Sequence, residues 1–359
     1  MSPTNSTLFK FPLEAKAPEP FKIELEQNFI NIVKQKVRDY RPIVALSNEW
    51  NNEGPPPSSI GEIADYWANE YDWRQVEERM NNDFDHYATT VPGSEGYPQQ
   101  TPLHFVHHRS ADEDAIPLLL LHGWPSTFLE WAKVIKPLTE SSSGQSFHII
   151  APDLPGFGFS PAPTKPGMGP RGFGLAFNAL MHQLGYDKYG LVTTDLGFST
   201  GMWMVQDVRE SIIGHMTDFF MGEPTADDIA RLQSGNASKE EVDYMTSTKA
   251  WFNSHFVYAN THAQKPLALS AALGDSPVGF LSWLWDISHT VSDGYEYSAE
   301  QLITDTMMLY TPGPYASIRA YHEFFKVSLT MLYTTTLFCF LSGHISPLYT
   351  LPNILLLAL

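Results

Sequence analysis

The chain has 359 residues, of which 43% are hydrophobic, and a formal net charge of −18 at pH 7. This length suffices for one large α/β domain, or for one domain with appendages. The acidic balance argues against a nucleic-acid partner, because phosphate binding requires a basic face, and the single Cys339 excludes an intramolecular disulfide framework and a cysteine-based metal site.

The N-terminal part predicts an arm followed by helices. Residues 1–17 are rich in proline and polar residues, so we expect a flexible arm. Apolar residues recur at helical spacing over 23–41, and residues 60–81 predict a second helical region after a break at 52–59. The N-terminus contains no apolar stretch of signal-peptide length or membrane-anchor type, and we therefore expect a cytoplasmic protein.

The apolar pattern then changes to that of strands alternating with helices. Residues 102–110 alternate like a strand, and continuous apolar runs follow at 116–125, 146–160, 189–197 and 212–221. Helix-length stretches lie at 128–140, 172–185 and 198–210. This alternation indicates an α/β fold with a mostly parallel sheet covered on both faces.

Asp195 ends the third apolar run, in the stretch LVTTDLGFST (191–200). Functional groups of open parallel sheets collect at the C-terminal ends of strands. The pattern small-x-nucleophile-x-Gly, with Thr193 and Gly197 at its small positions, is typical of a nucleophile elbow. A carboxylate needs no base near pH 7 and can attack a strained electrophile to form an ester. The alternative is that Asp195 only caps the following helix, which is the favoured interpretation of an isolated T-D-x-G.

The segment HGWP (122–125) follows the first apolar run and can complete an oxyanion hole. Its candidate donors are the backbone N–H groups of Trp124 and Leu196. We expect His122 to be a structural hydrogen-bonding residue rather than a catalytic one.

Three segments together, PLLLLHGWPSTFLEW, HIIAPDLPGFGFSPAP and TTDLG, resemble the α/β-hydrolase-fold epoxide hydrolases of the microsomal type. NEYDWRQVEERMNN and LHFVHHRS resemble the N-terminal domain of that family, and residues 257–286 resemble its helical lid. The resemblance covers residues 18–326. It implies an N-terminal region over 18–130 that includes the first core strands, a hydrolase core over 100–222 and a helical lid over 223–326.

The resemblance also implies a reaction. Asp195 would attack an epoxide carbon, while two lid tyrosines, Tyr258 in FVYANTH and Tyr321 in SIRAYHEF, would protonate the leaving alkoxide. The product would be a vicinal diol, which fits detoxification or the catabolism of aromatic hydrocarbons. The reaction would involve a small epoxide and water, and it would need no metal or organic cofactor. We expect no membrane association, and the resemblance is compatible with a homodimer. His262 is interpreted as lid structure, and Thr193-Thr194 replace the Gly-Gly that usually begins the elbow of this family.

The C-terminal tail predicts an incomplete second half-reaction. Hydrolysis of the ester requires water activated by a histidine that a carboxylate orients, and the family supplies both from its last two strands. Residues 327–359 contain no Asp, Glu, Lys or Arg, and His344 in SGHISPLYTLP matches the histidine motif poorly. The catalytic histidine and its acid are therefore not found, and the last core strands are expected to be missing. The codons at 326–328 can read AAG-GTA-AGT, which contains a common intron start, so we hypothesise that the tail is a retained intron.

Two alternatives stay open at this point. The chain can be a catalytically incomplete fragment or pseudoenzyme that forms an ester on Asp195 and stalls. It can also be a haloalkane dehalogenase-like hydrolase with its acid after the sixth strand, where Glu223 lies, although the lid tyrosines and the N-terminal region disfavour this. A membrane-anchoring tail is disfavoured because the uncharged run 327–342 is shorter than the ~20 residues needed to span a bilayer.

Overall fold

A mixed sheet forms the core of the protein in a computed structural model that describes residues 8–51, 53–140, 144–219 and 224–326. Within these residues the strands are β1 (Glu19–Pro20), β2 (His86–Val91), β3 (Thr101–His108), β4 (Ile116–Leu121), β5 (Phe147–Pro152), β6 (Tyr189–Thr193) and β7 (Ile212–Thr217). Their order across the sheet is β1-β2-β3-β5-β4-β6-β7.

The two halves of the sheet differ in direction. Parallel ladders join β5, β4, β6 and β7, as the continuous apolar runs predicted. β5, β4 and β6 are largely buried on both faces and are therefore apolar at most positions, whereas β7 is partly exposed. Antiparallel ladders add β3, β2 and β1 on the other side, so the described sheet is mixed rather than mostly parallel. The short β1 and the strand β2 were not predicted from the sequence.

Helices cover the sheet and fill the C-terminal part of the described chain. They are α1 (Gln27–Arg38), α2 (Pro57–Asn69), α3 (Trp73–Asp83), α4 (Ala132–Thr139), α5 (Pro170–Gln183), α6 (Asp195–Asp207), α7 (Ala226–Gln233), α8 (Lys239–Ser254), α9 (Val257–Gln264), α10 (Pro266–Leu273), α11 (Pro277–Val291), α12 (Ala299–Tyr310), α13 (Pro314–Ile318) and α14 (Ala320–Phe324). The region predicted as one helical stretch over 60–81 is divided between α2 and α3, because Asp72 accepts a hydrogen bond from the backbone of Arg74 and caps a new helix. Among the described helices, none combines the length and the apolar character needed to cross a bilayer.

The sequence predicted a flexible arm over residues 1–17, but its described part, residues 8–17, is packed against the sheet. Phe9 is buried and packs edge-on against Phe159, with ring centroids 5.6 Å apart. The carbonyl of Ala15 accepts a 2.7 Å hydrogen bond from the backbone N–H of Thr90, next to the sheet edge. Proline-rich composition predicted mobility, but a buried aromatic side chain and a backbone pairing fix this segment instead.

A buried acid supports the loops beneath the site. Asp153 follows β5, and its carboxylate accepts the backbone N–H groups of Phe128 and Phe159, each at 2.9 Å. His104 of β3 lies 2.8 Å from the same carboxylate. Burial alone would raise the pKa of Asp153, but the hydrogen bond and charge of His104 outweigh it and lower this pKa. The ionised Asp153 therefore ties β3, the loop after β5 and the turn that follows HGWP into one rigid support.

Candidate active site

Asp195 is the first residue of α6 and lies at the sharp turn out of β6. Its φ of 45° is in the left-handed region, which residues other than glycine rarely adopt. The extended Thr194 occupies the N-cap position, so Asp195 is not the cap of this helix. A Cβ on Gly197 would lie 2.3 Å from the carbonyl oxygen of Leu121, which shows how closely the helix start approaches the end of β4. The turn is therefore tight and strained, and Thr193-Thr194 are accommodated in it.

Backbone donors surround the Asp195 carboxylate. The N–H of Trp124 donates to Oδ1 at 2.8 Å, and the N–H of Leu196 also hydrogen-bonds this carboxylate. A Cβ on Gly123 would lie 2.2 Å from the same Oδ1, so the HGWP turn needs glycine here. The structure thus brings both candidate oxyanion donors to the candidate nucleophile.

The ionisation of Asp195 is set by burial and by neighbouring acids. Burial raises its pKa to about 6, the two backbone donors lower it, and the charges of Glu130 and Asp218 raise it further. The carboxylate is mostly ionised at pH 7. Burial and the charge of Glu130 also raise the pKa of Asp305, on α12, to about 7.

The sequence analysis did not identify the three neighbouring acids Glu130, Asp218 and Asp305. Asp218 directly follows β7, and an acid at the C-terminal end of a parallel strand was a signal that could have identified it. Glu130 and Asp305 come from segments far apart in the chain, and no local pattern marks them. The charges of Glu130 and Asp218 make the surroundings of Asp195 electrostatically negative, and Asp305 interacts with Glu130.

The two candidate tyrosines meet above Asp195. Tyr258 on α9 is 5% exposed and Tyr321 on α14 is 3% exposed, and their ring centroids lie 5.8 Å apart. Trp124 stacks on Tyr258 at 5.4 Å and contacts Tyr321 edge-on at 6.0 Å. The ring Nδ1 of His322 lies 2.7 Å from the carbonyl oxygen of Ala263, a hydrogen bond that joins α14 to α9.

Both phenols remain protonated near neutral pH. Burial raises the pKa of Tyr258 above its usual value of 10, and the negative charge of Asp195 raises it further. Burial, the neighbouring Tyr258 and the charge of Asp195 raise the pKa of Tyr321 well above 10 as well. The arrangement presents two neutral hydrogen-bond donors opposite one anionic nucleophile.

Two buried histidines beside these groups make structural contacts. His122 is fully buried, and its Nε2 accepts the N–H of Leu154 at 3.0 Å while Nδ1 lies 2.9 Å from the carbonyl of Gly123. It therefore holds the loops, as a structural residue does. His262 packs among Trp124, Tyr258 and Tyr321.

The remaining candidate residues fall in parts of the chain that the structure does not describe. Glu223, His344 and the tail over 327–359 lie outside the described residues. The expectations about a displaced acid, a poorly matching histidine and a retained intron stay predictions.

The chain is similar to known proteins over most of its length. Residues 18–131 match the family described as epoxide hydrolase N terminus, and residues 116–237 match the family described as alpha/beta hydrolase fold. Juvenile hormone epoxide hydrolase 1 of Ctenocephalides felis is 28% identical over 331 residues, which cover 85% of this chain and 70% of that protein. Epoxide hydrolase 1 of Sus scrofa is 27% identical over 343 residues, covering 86% of this chain and 73% of that protein.

A solved structure shares the architecture. The crystal structure of juvenile hormone epoxide hydrolase from the silkworm Bombyx mori aligns with a TM-score of 0.70 and 26% identity. The alignment covers 86% of this chain and 76% of the silkworm chain.

Proposed function

We propose that this chain, which belongs to the epoxide hydrolase family of the α/β-hydrolase fold, opens an epoxide by attack of Asp195 and forms a vicinal diol through an aspartyl ester. The proposal rests on the arrangement around the Asp195 carboxylate, which has backbone N–H donors on one side and phenol O–H donors on the other. Two backbone N–H groups hold one side of the Asp195 carboxylate, and the phenols of Tyr258 and Tyr321 lie opposite it.

In the first step, one oxygen of Asp195 attacks an epoxide carbon and the carbon–oxygen bond of the ring breaks. The epoxide oxygen leaves as an alkoxide, and a proton from Tyr258 or Tyr321 neutralises it. The remaining phenolate is reprotonated from solvent. The raised pKa values of the two tyrosines keep the proton available, and an alkoxide is basic enough to take it.

In the second step, water attacks the ester carbonyl carbon of Asp195, and the N–H groups of Trp124 and Leu196 stabilise the oxyanion that forms. One proton of the water passes to the leaving oxygen of the diol and the other to solvent, so that the diol leaves and the carboxylate is regenerated.

Within the described residues, neither His122 nor His262 has a ring nitrogen free to take a proton from this water. Nε2 of each ring already accepts a hydrogen bond, from the N–H of Leu154 and from Nε1–H of Trp283 respectively. Each Nδ1 then carries the ring proton, and in His122 it lies against the carbonyl of Gly123. Accumulation of an ester on Asp195 would support the alternative that the chain is a catalytically incomplete fragment or pseudoenzyme.

The substrate that fits these surroundings is a neutral, bulky or aromatic epoxide. Trp124 and the two tyrosines offer aromatic faces, which favour apolar and aryl groups. Glu130 and Asp218 lie close enough for their charges to act on Asp195, so an anionic epoxide would be repelled.

The test is product analysis with two electrophiles. The full-length chain is incubated with styrene oxide or with a 1-haloalkane of similar size, and Asp195→Asn is the control. We expect styrene glycol or a covalent adduct from the epoxide, no halide release, and neither product from the control. Halide release without any epoxide reaction would overturn the proposal in favour of the dehalogenase alternative.

A further inference from the structure

His262 lies four residues after Tyr258 on α9 and is fully buried in the aromatic cluster of the site. Its ring makes edge contacts with Trp124 at 4.6 Å and with Tyr321 at 4.9 Å between centroids. Resting on the proposed function, we propose that His262 is a positioning residue that donates a hydrogen bond from Nδ1 to the hydroxyl oxygen of Tyr321 when an epoxide is bound.

The protonation of His262 follows from Trp283 on α11. The indole Nε1–H of Trp283 can only donate, and it donates to Nε2 of His262 at 3.0 Å. Nε2 therefore carries no proton. Burial lowers the pKa of His262 to about 3, so the ring is neutral at pH 7 and its single N–H is on Nδ1.

Two buried polar atoms in adjacent rings then have unused hydrogen-bonding capacity. Nδ1 of His262 is buried and has no hydrogen-bond partner. The buried hydroxyl of Tyr321 interacts with the hydroxyl of Tyr258, and its oxygen accepts no hydrogen bond from another group. A buried polar group without a partner is unfavourable, and one hydrogen bond between these two atoms would satisfy both. Nε1 of Trp124 is also buried without a partner, but it is a donor like Nδ1 of His262 and cannot accept from it.

We assign Tyr321 as the acceptor for this N–H. Its hydroxyl oxygen is buried and accepts no hydrogen bond, and its ring is in edge contact with that of His262 at 4.9 Å between centroids. A phenol can accept one hydrogen bond at its oxygen while it donates its own proton to another group.

The hydrogen bond would assist ring opening without moving the proton of His262. As the epoxide carbon–oxygen bond breaks, the proton of Tyr321 passes to the alkoxide and a phenolate forms. The Nδ1–H of His262 stabilises this phenolate and fixes the direction of the O–H beforehand. Burial and the charge of Asp195 make Tyr321 a weak acid. A hydrogen-bond donor at its oxygen stabilises the phenolate and therefore favours the transfer of its proton.

A pair of variants separates the two ring nitrogens. The amide N–H of His262→Asn can take the place of Nδ1–H, whereas His262→Gln reaches the position of Nε2, can accept from Trp283 and loses the Nδ1 donor. The ester-forming rate is measured by single turnover of the full-length chain with styrene oxide, and folding by circular dichroism. We expect His262→Gln to lower this rate on the order of tenfold with little change in epoxide affinity, and His262→Asn to stay within about threefold of the unsubstituted chain.

A double-substitution cycle shows whether His262 acts through Tyr321. In a Tyr321→Phe background, His262→Gln is expected to have no further effect on the ester-forming rate. An equal loss in both backgrounds, or equal losses for His262→Asn and His262→Gln, would overturn the inference. So would an unchanged rate for His262→Gln.

A measurement on the unsubstituted chain keeps the inference testable if the glutamine variant does not fold. Nitrogen-15 NMR of labelled histidines reports which ring nitrogen of His262 is protonated at pH 7. A proton on Nδ1 alone supports the inference, and a proton on Nε2 contradicts it. If the unsubstituted chain reacts with no epoxide, the proposed function fails, but the protonation of His262 is still determined independently.

Discussion

The elbow that carries Asp195 and the helices that carry the two tyrosines build the same site by opposite means. At the elbow, backbone geometry sets the positions of the reacting groups, through a left-handed φ at Asp195 and a close approach of Gly197 to the backbone of Leu121 at the end of β4. In the helical region, Tyr258 and Tyr321 come from separate short helices and meet through packed aromatic rings.

The difference shows which part of the chemistry each region can supply. Backbone N–H groups are fixed by the fold and suit an oxyanion whose position does not vary. Side chains on packed helices can differ in shape and spacing, and they suit recognition of the substrate and protonation of its leaving oxygen. The comparison predicts that changes at the elbow abolish chemistry or folding, while changes among the helices reduce the rate in steps.

Replacing the nucleophile should have the largest effect. Asp195→Asn keeps the shape of the side chain and tolerates a positive φ, but it removes the charged oxygen. The ester-forming rate with styrene oxide should fall by at least about 10³-fold in single-turnover experiments. A well-folded Asn variant with a rate within tenfold of the unsubstituted chain would show that Asp195 is not the nucleophile.

Two glycines test whether the elbow depends on close backbone approach. Gly197→Ala would put a Cβ 2.3 Å from a backbone carbonyl oxygen, and we expect a loss of about 2–4 kcal/mol in the free energy of unfolding, or failure to fold. Gly61→Ala in α2 is the matched control, because its Cβ meets nothing within 4 Å. That control should gain about 0.5–1 kcal/mol in urea titrations. Equal stabilities for the two variants would refute this account of the turn.

The two tyrosines should each contribute part of the rate, with losses that multiply in the double variant. Tyr258→Phe and Tyr321→Phe are each expected to slow ester formation by about 10- to 100-fold, and the double variant by about 10²- to 10⁴-fold. Tyr310→Phe is the control, because its hydroxyl donates to the carbonyl of Gly274 rather than facing Asp195. A loss confined to one of the two tyrosines would show that a single phenol acts as the acid.

The pH dependence should report the ionisation of Asp195. Because the attacking group is the carboxylate, the ester-forming rate should rise with pH through about 6 and then level off below the raised pKa values of the tyrosines. Glu130→Gln removes one of the charges that raise the pKa of Asp195, so it should move this midpoint to lower pH. A midpoint that Glu130→Gln leaves in place would exclude that electrostatic coupling.

The same ionisation should appear in stability. The pKa of Asp195 is raised from 3.8 to about 6 in the folded state, so its charge destabilises the protein above pH 6. Asp195→Asn should therefore increase the free energy of unfolding by about 1–3 kcal/mol at pH 7.5. The gain should diminish as the pH falls from about 6 towards 4, because the folded-state carboxyl gains its proton there while the unfolded-state carboxyl gains its own only near 3.8. Urea titrations at several pH values measure this trend, and a gain that did not depend on pH would have another cause.

The parts of the molecule that the sequence predicted are those encoded in local patterns. The parallel strands were recognised because burial on both faces makes them continuously apolar, and Asp195 because the turn around it demands small residues. The N-terminal segment at Phe9 and the strand β2 depend on partners elsewhere in the chain, so composition misjudged the first and missed the second. Tyr258 and Tyr321 could be singled out among 16 tyrosines only through family resemblance. No local sequence pattern and no quoted family motif identified Glu130 or Asp305.

The most direct test of the central claim is to locate the covalent bond that the epoxide forms. The full-length chain is mixed with excess styrene oxide, quenched within one turnover, digested and analysed by tandem mass spectrometry. The account predicts a mass increase of one styrene oxide on the peptide that contains Asp195, localised to that residue and absent from Asp195→Asn. Modification at another residue, or an equal adduct in the Asn variant, would contradict it.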